Sequence, residues 1–409
     1  MSLQQTTSAN MQAAPAPVKH MSFFPRRGLK MKLVGVVSPN YGLERVSYLN
    51  AVPGYIYCTL RRLPVEKVGL KGSFWQYTPF VLDRSVDLIH TFNMLPLNGK
   101  FVVSFELELP RYLGNPSPGQ MRWGRKIMAS SRCRAMLALS DAAAHLARTS
   151  LTACGLVEAA SKIQVFRGGL PEVREIAPRT APRSRPIKLL FIGRDGLRKG
   201  LIPLLLAMDD LRKANVDVEL TAVTVVGRNQ SYVFREHTPD IGQWKKRLYA
   251  TPHVTVHESL PNPQVRQAMR GHDLLVLPTF DESLGWVVAE AGLEGLPALV
   301  TNIFAMPELV EHNVTGGLID LPLNEDRRWI GLGKPSRQLP SQIDSANETI
   351  RRGIVHFVTD IAAAPDRIIA YSEAARKKHQ AMYSPEVAKW RLKEIYDTAL
   401  GRMESGRVA

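Results

Sequence analysis

The stretch Pro278-Thr-Phe-Asp-Glu-Ser-Leu-Gly-Trp-Val-Val-Ala-Glu-Ala291 contains two glutamates eight positions apart, Glu282 and Glu290. The apolar run before it predicts a buried strand ending at Pro278, and Trp286 to Glu294 predicts the next helix. Glu282 then lies in the loop at the carboxyl end of a strand, where open α/β sheets bind ligands. Two carboxylates at that edge suit a ligand with several hydroxyl groups, such as a nucleotide sugar. The alternative is an ordinary surface helix with solvated glutamates.

The chain has 409 residues, 45% hydrophobic and 22% charged, which predicts a globular protein of two domains. No run approaches the roughly 20 apolar residues of a membrane span. Residues 1–30 are polar and rich in Ala and Pro, which predicts a disordered N-terminal tail and no secretory signal. Cys58, Cys133 and Cys154 are widely spaced, which is typical of a reducing cytoplasm and indicates no structural zinc.

The net charge of +16 is concentrated in the first half. Residues 1–180 hold 23 Lys and Arg against 10 Asp and Glu, whereas residues 181–409 hold 30 against 27. This asymmetry indicates an anionic partner for the first half, either a membrane surface or nucleic acid. The alternative is a basic surface that is merely well solvated. The sequence contains no recognisable nucleic-acid-reading motif, so we expect no nucleic-acid partner.

Strand-like runs alternate with helix-length segments, which predicts parallel βαβ units in both halves. The segment from 171 to 187 mixes Pro with Arg and predicts a linker. Residues 321–346 show no clear period and predict a loop insertion, and Asn347 to Arg402 predicts helices interrupted near Pro365 and Pro385. The predicted strands are Met31–Val37, Val86–His90, Phe101–Phe105, Ala135–Leu139, Ile163–Phe166, Lys188–Gly193, Val216–Val226, Val254–Val256, Leu274–Leu277 and Ala298–Val300.

A second candidate site is the run Gly193-Arg-Asp-Gly-Leu-Arg-Lys-Gly200, which follows a predicted strand and precedes a predicted helix. The free N–H groups at a helix N-terminus attract anions, and glycines let the backbone approach a phosphate. Arg194 and Lys199 can add positive charge against a diphosphate. Basic residues are common at such turns, so this run is informative only together with Glu282 and Glu290.

In combination these motifs resemble the family 4 retaining glycosyltransferases of the GT-B fold. That family has a strand ending in Gly-Arg with Lys-Gly four residues later, and a Glu-x-Phe-Gly segment followed by Glu-Ala. The order and spacing agree between Gly193 and Gly317, with Leu284 replacing the phenylalanine. The matching segments are Gly193-Arg194, Lys199-Gly200, Pro278 to Ala291, Gly295 to Thr301, Pro307-Glu308 and Thr315 to Gly317.

The resemblance implies an α/β protein of GT-B fold, with two Rossmann-like doubly wound domains facing each other across a cleft. Residues 31–175 would form the acceptor-side domain, 176–187 the linker and 188–380 the domain that binds the nucleotide sugar. Residues 381–409 would form a helix crossing back to the first domain. The implied activity is a retaining, metal-independent hexosyl transfer from a nucleotide-diphosphate donor to a polysaccharide, oligosaccharide or lipid-linked acceptor, without a cofactor.

The resemblance also implies roles for individual residues. Arg194 and Lys199 would neutralise the donor diphosphate and the departing nucleotide. Glu282 would contact the donor sugar, and Glu290 would bind the ribose hydroxyls. The backbone around the donor would come from Gly193, Ser283, Leu284 and Gly285. The leaving phosphate would help to deprotonate the acceptor.

In the first half, one candidate position departs from the family pattern and another matches it. Glu106 stands where many relatives have a histidine that contacts the donor sugar, which makes Glu106 a candidate catalytic residue. His90 matches a frequent family histidine and is a second candidate, although a lone histidine at a strand end is more often structural.

Several alternatives stay open on the sequence alone. The same residues would serve a soluble small-glycoside or sugar-phosphate synthase, and a catalytically inactive nucleotide-binding or nucleic-acid-binding protein is the alternative of a different class. Met121 to Met128 places three cations beside Trp and Met, either as a helix lying on an anionic membrane or as a basic helix with a core face. We expect a cytoplasmic protein, with peripheral contact at the inner face of the membrane as a further expectation.

Overall fold

The computed structural model describes residues 31–37, 51–63, 72–83, 85–171, 173, 177–227 and 232–402. The predicted tail, residues 1–30, lies outside the described residues. The chain divides into two compact units. Of the described residues, we call those from 31 to 171 together with those from 382 to 402 the N-terminal unit, and those from 173 to 381 the C-terminal unit.

The N-terminal unit is built on a parallel sheet of six strands in the order β2-β1-β3-β4-β5-β6. Buried Val, Leu and Phe side chains of the central strands form its core. Its elements are β1 Lys32–Val36, β2 Tyr55–Thr59, α1 Ser73–Tyr77, β3 Leu88–Phe92, β4 Phe101–Phe105, α2 Pro118–Ala129, β5 Cys133–Ala138, α3 Asp141–Ala153, α4 Val157–Ser161 and β6 Ile163–Val165.

The C-terminal unit repeats this architecture with a second parallel sheet, ordered β12-β11-β10-β7-β8-β9. The strand order reverses between β7 and β10, the position at which doubly wound sheets bind ligands. Its elements are β7 Ile187–Gly193, α5 Leu201–Lys213, β8 Val218–Thr224, α6 Ile241–Ala250, β9 Val254–His257, α7 Asn262–Gly271, β10 Leu274–Leu277, α8 Trp286–Leu293, β11 Ala298–Thr301, α9 Met306–Leu309 and β12 Gly316–Ile319.

Three long helices complete the chain: α10 Leu339–Ala363, α11 Arg367–Tyr383 and α12 Pro385–Ala399. The interruptions predicted near Pro365 and Pro385 are confirmed, since one helix ends before the first proline and another begins at the second. Helix α12 belongs to the N-terminal unit, where the Tyr55 hydroxyl donates a 2.6 Å hydrogen bond to the Asp397 carboxylate. Among the helices that the structure describes, none is long and apolar enough to cross a membrane.

All ten strands predicted from the sequence are present, with ends shifted by up to two residues. The prediction missed two edge strands, β2 and β12. Strand β12 begins with Gly316-Gly317, a pair that weakens a strand pattern. Both glycines are needed for packing: a Cβ at Gly316 would lie 2.0 Å from the Ala298 carbonyl oxygen, and one at Gly317 would meet Leu299.

The predicted loop insertion at 321–346 is wrong for its last part. Two short 3₁₀ helices occupy Ile330–Gly333 and Ser336–Gln338, and α10 starts at Leu339. Pro340 lies in the first turn of this helix, where proline is compatible with helical structure, so it does not indicate a loop there.

A glycine joins the two loops that carry the candidate site. Gly200 precedes α5 with a φ of +86°, and a Cβ there would lie only 2.1 Å from the carbonyl oxygen of Pro278. Glycine alone tolerates both this dihedral angle and this backbone approach. The loop after β7 therefore lies directly against the loop after β10.

We expect Gly200→Ala to destabilise the C-terminal unit by about 2–4 kcal/mol, because it adds left-handed strain to an overpacked contact. This corresponds to a drop of roughly 5 to 10 °C in the midpoint of thermal unfolding. Gly271→Ala is the matched control, since a Cβ at Gly271 meets no atom within 4 Å. Equal midpoints for the two variants would contradict this account of the loop contact.

Candidate functional site

The side chain of Lys199 crosses the end of β7. A Cβ at Gly193 would lie 2.7 Å from the Lys199 Cγ, so the glycine makes room for the lysine stem. The Thr224 hydroxyl donates a 2.6 Å hydrogen bond to the Gly193 carbonyl and fixes the strand end. The lysine ammonium thereby reaches Glu282 in the loop after β10.

Lys199 and Glu282 form an ion pair between the two loops. Both side chains are largely buried, with exposed fractions of 11% and 15%. Burial, together with repulsion from the Arg198 guanidinium, lowers the pKa of Lys199 to about 7. The Asp195 and Asp281 carboxylates act in the opposite direction and favour the charged lysine. The pair places a cation and an anion next to each other at the carboxyl edge of the sheet.

Arg194 follows β7 directly and is exposed. The structure shows no hydrogen bond or ion pair between its side chain and any described residue. The guanidinium is therefore available to an anion arriving at the same loop that holds Lys199.

Ser283, Leu284 and Gly285 connect Glu282 to α8. Gly285 has a φ of +83°, and a Cβ there would lie 2.3 Å from Met306 Cε. No side chain caps the N-terminus of α8, and its first turn carries no acidic residue. An uncapped helix N-terminus has a partial positive charge, so this end of α8 favours an anion.

Glu290 lies in the same helix, half-buried. Among the described residues we find no hydrogen-bond or ion-pair partner for its carboxylate. Burial raises its pKa to about 7, with the Glu294 carboxylate adding repulsion and Arg266 acting in the opposite direction. A hydroxyl-bearing ligand would supply the missing hydrogen bonds.

Asp281, the residue before Glu282, anchors the loop through a polar network. Its carboxylate accepts hydrogen bonds from the Tyr232 hydroxyl at 2.8 Å and from Arg328 Nη2 at 2.9 Å. Its carbonyl accepts a 2.6 Å hydrogen bond from Arg198 Nη1, and Arg198 also pairs with Asp195. These contacts fix the backbone on both sides of the Lys199–Glu282 pair.

Sequence reasoning missed most of this network. Arg198 directly precedes Lys199, and Asp281 directly precedes Glu282. Their positions within the two motifs could therefore have identified them as site residues. Tyr232 and Arg328 lie in segments without a recognisable pattern, and the latter falls in the predicted loop insertion. Only the fold brings these two side chains to the site.

Two predicted residues, Glu106 and His90, belong to the N-terminal unit. The Glu106 carboxylate is buried after β4 and accepts a 2.6 Å hydrogen bond from Arg111 Nη1. His90 is fully buried in β3, with ring nitrogens 2.7 Å from the Tyr396 hydroxyl and 2.9 Å from the Ser104 hydroxyl. Burial lowers the pKa of His90 to about 3, so the ring is neutral. It connects β3 with α12 and β4, and the catalytic roles of both residues stay predictions.

Within the described ranges there is no group of three or more His, Cys, Asp and Glu side chains that could hold a metal ion. Lys199, Arg194 and the N-terminus of α8 contribute positive charge at the candidate site, and Arg198 and Arg328 lie on the neighbouring Asp281.

Residues 172–327 match the family model described as Glycosyl transferases group 1. Over 168 residues the chain is 28% identical to the glycogen synthase of Mycobacterium tuberculosis, an alignment covering 41% of this chain and 37% of that protein. It is 30% identical over 134 residues to the D-inositol 3-phosphate glycosyltransferase of Pseudarthrobacter chlorophenolicus, covering 32% and 30% of the two chains. The alignments thus span about a third of these curated relatives' length.

The fold is similar to that of sucrose-phosphate synthase from Thermosynechococcus elongatus, with a TM-score of 0.59 at 12% identity. The superposition covers 91% of this chain and all of that one. Together with the two parallel six-stranded sheets, this likeness confirms the predicted GT-B fold class. The match to glycosyltransferase group 1 confirms the broader part of the predicted resemblance, and the narrower assignment to family 4 stays a prediction.

The raised pKa of Glu290 makes stability depend on pH. An unfolded glutamate ionises near pH 4.5, whereas the folded Glu290 keeps its proton until about pH 7. Folding is therefore favoured by this group at low pH, and that contribution is lost as the pH rises from 4.5 to 7. We expect Glu290→Gln to raise the midpoint of thermal unfolding at pH 8 and to leave it nearly unchanged at pH 4.

Glu294→Gln is the control for this measurement. The Glu294 carboxylate is 1% exposed and binds Arg266 Nε and Arg270 Nε, so its loss should destabilise the protein. If Glu290→Gln lowered the midpoint at pH 8 as Glu294→Gln does, the Glu290 carboxylate would have a stabilising partner and this interpretation would be wrong.

Proposed function

We propose that the protein is a retaining glycosyltransferase that moves a sugar from a nucleotide-diphosphate donor to a glycan or lipid-linked acceptor. The observation that carries the proposal is the Lys199–Glu282 ion pair at the switch point of the second sheet, beside the uncapped N-terminus of α8. The match of residues 172–327 to glycosyltransferase group 1 supports it.

The donor diphosphate would lie between Lys199, Arg194 and the N-terminus of α8. Phosphate oxygens would give the Lys199 ammonium a second anionic partner, and this would free part of the Glu282 carboxylate for the hydroxyls of the donor sugar. The cations and helix dipole would stabilise the charge that grows on the departing nucleotide, which supports transfer without a metal ion. Because the Asp281 network already holds the backbone beside Lys199 and Glu282, little reorganisation of these two residues would accompany the reaction.

Glu290 would bind the ribose hydroxyls with the carboxylate that has no described partner. In the transfer step, the bond between the sugar C1 and the β-phosphate oxygen breaks. The acceptor oxygen bonds to C1 on the same face, and the acceptor proton passes to the departing phosphate oxygen. A carboxylate close to that face is not required by this scheme, so Glu106 and His90 are not assigned a proton transfer.

The acceptor class is the least constrained part of the proposal. The names of the relatives span a polysaccharide synthase, an inositol-phosphate glycosyltransferase and a sucrose-phosphate synthase. A small-glycoside or sugar-phosphate synthase with the same donor site is therefore the second candidate. Its test is transfer to a soluble phosphorylated sugar or polyol in the absence of any polymer or lipid.

We expect Lys199→Ala to lower turnover by about 100- to 1,000-fold, because it removes a preorganised cation from the departing diphosphate. The measurement is release of free nucleoside diphosphate from a panel of nucleotide sugars, after thermal shift has identified the donor that stabilises the protein. Lys199→Arg should recover part of the lost turnover, since it keeps the charge.

The matched control is Lys213→Ala, which removes a largely exposed cation at the end of α5 and should leave turnover unchanged. Unchanged turnover in Lys199→Ala would exclude the assigned role of the lysine. Stabilisation by a nucleotide sugar without release of nucleotide under any acceptor condition would instead favour a nucleotide-binding protein that catalyses nothing.

A further inference from the structure

The N-terminal unit has a cluster of aromatic side chains on α1, on α2 and in the segment before α2. Phe74 lies at its centre, with ring centroids 5.0 Å from Trp75, 5.1 Å from Tyr112 and 5.4 Å from Trp123. Phe74 and Tyr112 are buried, whereas Trp123 is 46% exposed and Leu113, whose carbonyl accepts a hydrogen bond from the Ser73 hydroxyl of α1, is 57% exposed. The cluster is thus anchored in the core and presents apolar side chains to solvent.

The orientation of α2 separates a core face from an outer face. Ile127 and Met128 are buried, and a Cβ at Gly124 would lie 2.5 Å from Pro110 Cγ. Sequence reasoning left open whether the apolar residues of this segment face a membrane or the core, and for these two the structure shows the core. The outer face carries Arg122, Trp123 and Lys126, which span about 100° of the helix circumference.

The charge of this outer face is entirely positive. Residues 112–131 contain Arg122, Arg125 and Lys126 and no Asp or Glu, and residues 72–82 contain no charged side chain. Arg122 and Lys126 are exposed, and neither has an ion-pair partner among the described residues. We call Leu113, Arg122, Trp123 and Lys126 the aromatic-basic surface.

We propose that the aromatic-basic surface binds the headgroup region of an anionic lipid bilayer. Tryptophan prefers the membrane interface, because its ring is apolar and its N–H is polar. Arg122 and Lys126 would pair with lipid phosphates, while Trp123 and Leu113 would enter the boundary between headgroups and acyl chains. The exposed aliphatic Leu113 favours a lipid surface over an anionic glycan or a nucleic acid, which would leave this side chain without an apolar partner.

The basic excess of the first 180 residues supports the same partner. It would draw the protein to a negatively charged leaflet before the aromatic side chains make contact. The proposal rests on this surface alone and does not depend on the proposed sugar transfer. If that function holds as well, the bilayer would present a lipid-linked acceptor to the enzyme.

The test is vesicle flotation of the full chain with phosphatidylcholine alone and with about 30 mol% phosphatidylglycerol. We expect binding only to the anionic vesicles, weakened when the salt concentration rises from about 0.1 to 0.5 M. Trp123→Ala should reduce the partition coefficient about tenfold, and Arg122→Glu with Lys126→Glu should reduce it at least about thirtyfold. The charge variant alters only exposed side chains, so it tests the surface even if Trp123→Ala unfolds.

Trp390→Ala is the matched control. Trp390 is 49% exposed on α12 beside Lys389, but its Nε1 donates to Glu386, and Lys389 pairs with the same carboxylate. We expect this variant to bind anionic vesicles like the unaltered protein. Equal binding by the Arg122/Lys126 charge variant, or wild-type binding to neither kind of vesicle, would overturn the proposal. Both of these vesicle-binding outcomes are independent of whether the protein releases nucleotide from a sugar donor.

Discussion

The backbone contact between Gly200 and the Pro278 carbonyl determines the geometry of the whole C-terminal site. It brings the loop after β7 against the loop after β10, at the point where the strand order of the sheet reverses. Lys199 directly precedes the glycine and Glu282 comes four residues after the proline, so their ion pair follows from this approach. A side chain at Gly200 would separate the loops and with them the two charges.

The ionisable side chains at this edge of the sheet differ in whether a charged partner compensates them. Lys199 and Glu282 compensate each other, since isolated ions of either sign are costly to bury. Glu290 has no such partner among the described residues, and burial raises its pKa. The Asp281 network restrains the loop next to the ion pair through Arg198, Tyr232 and Arg328. A molecule that brings phosphate oxygens to one end and hydroxyls to the other would satisfy both.

The placement of Lys199 and Glu282 at one edge of the sheet was predictable because the two residues occur in two short, ordered motifs. One apolar strand pattern is followed by Gly-Arg and Lys199, and another is followed by Pro and an acidic loop with Glu282. Because parallel strands end at the same edge of a sheet, the two patterns predict that Lys199 and Glu282 lie at that edge. Tyr232 and Arg328 could not be predicted, because they reach Asp281 from segments whose local sequence shows no periodicity. Strand β12 could not be predicted either, because it begins with two glycines that allow close packing but interrupt the apolar pattern typical of a strand.

By itself the sequence determined the two parallel α/β units, nearly all of their strands, and the two motifs that carry the candidate site. These features follow from local hydrophobic periodicity and from glycines at strand ends, which act over a few residues. Only the tertiary structure decided which charges are paired, that His90 is buried and neutral, and that Trp123 points outward while Ile127 and Met128 enter the core. Burial and partner choice depend on contacts between residues far apart in the chain, and no local pattern encodes them.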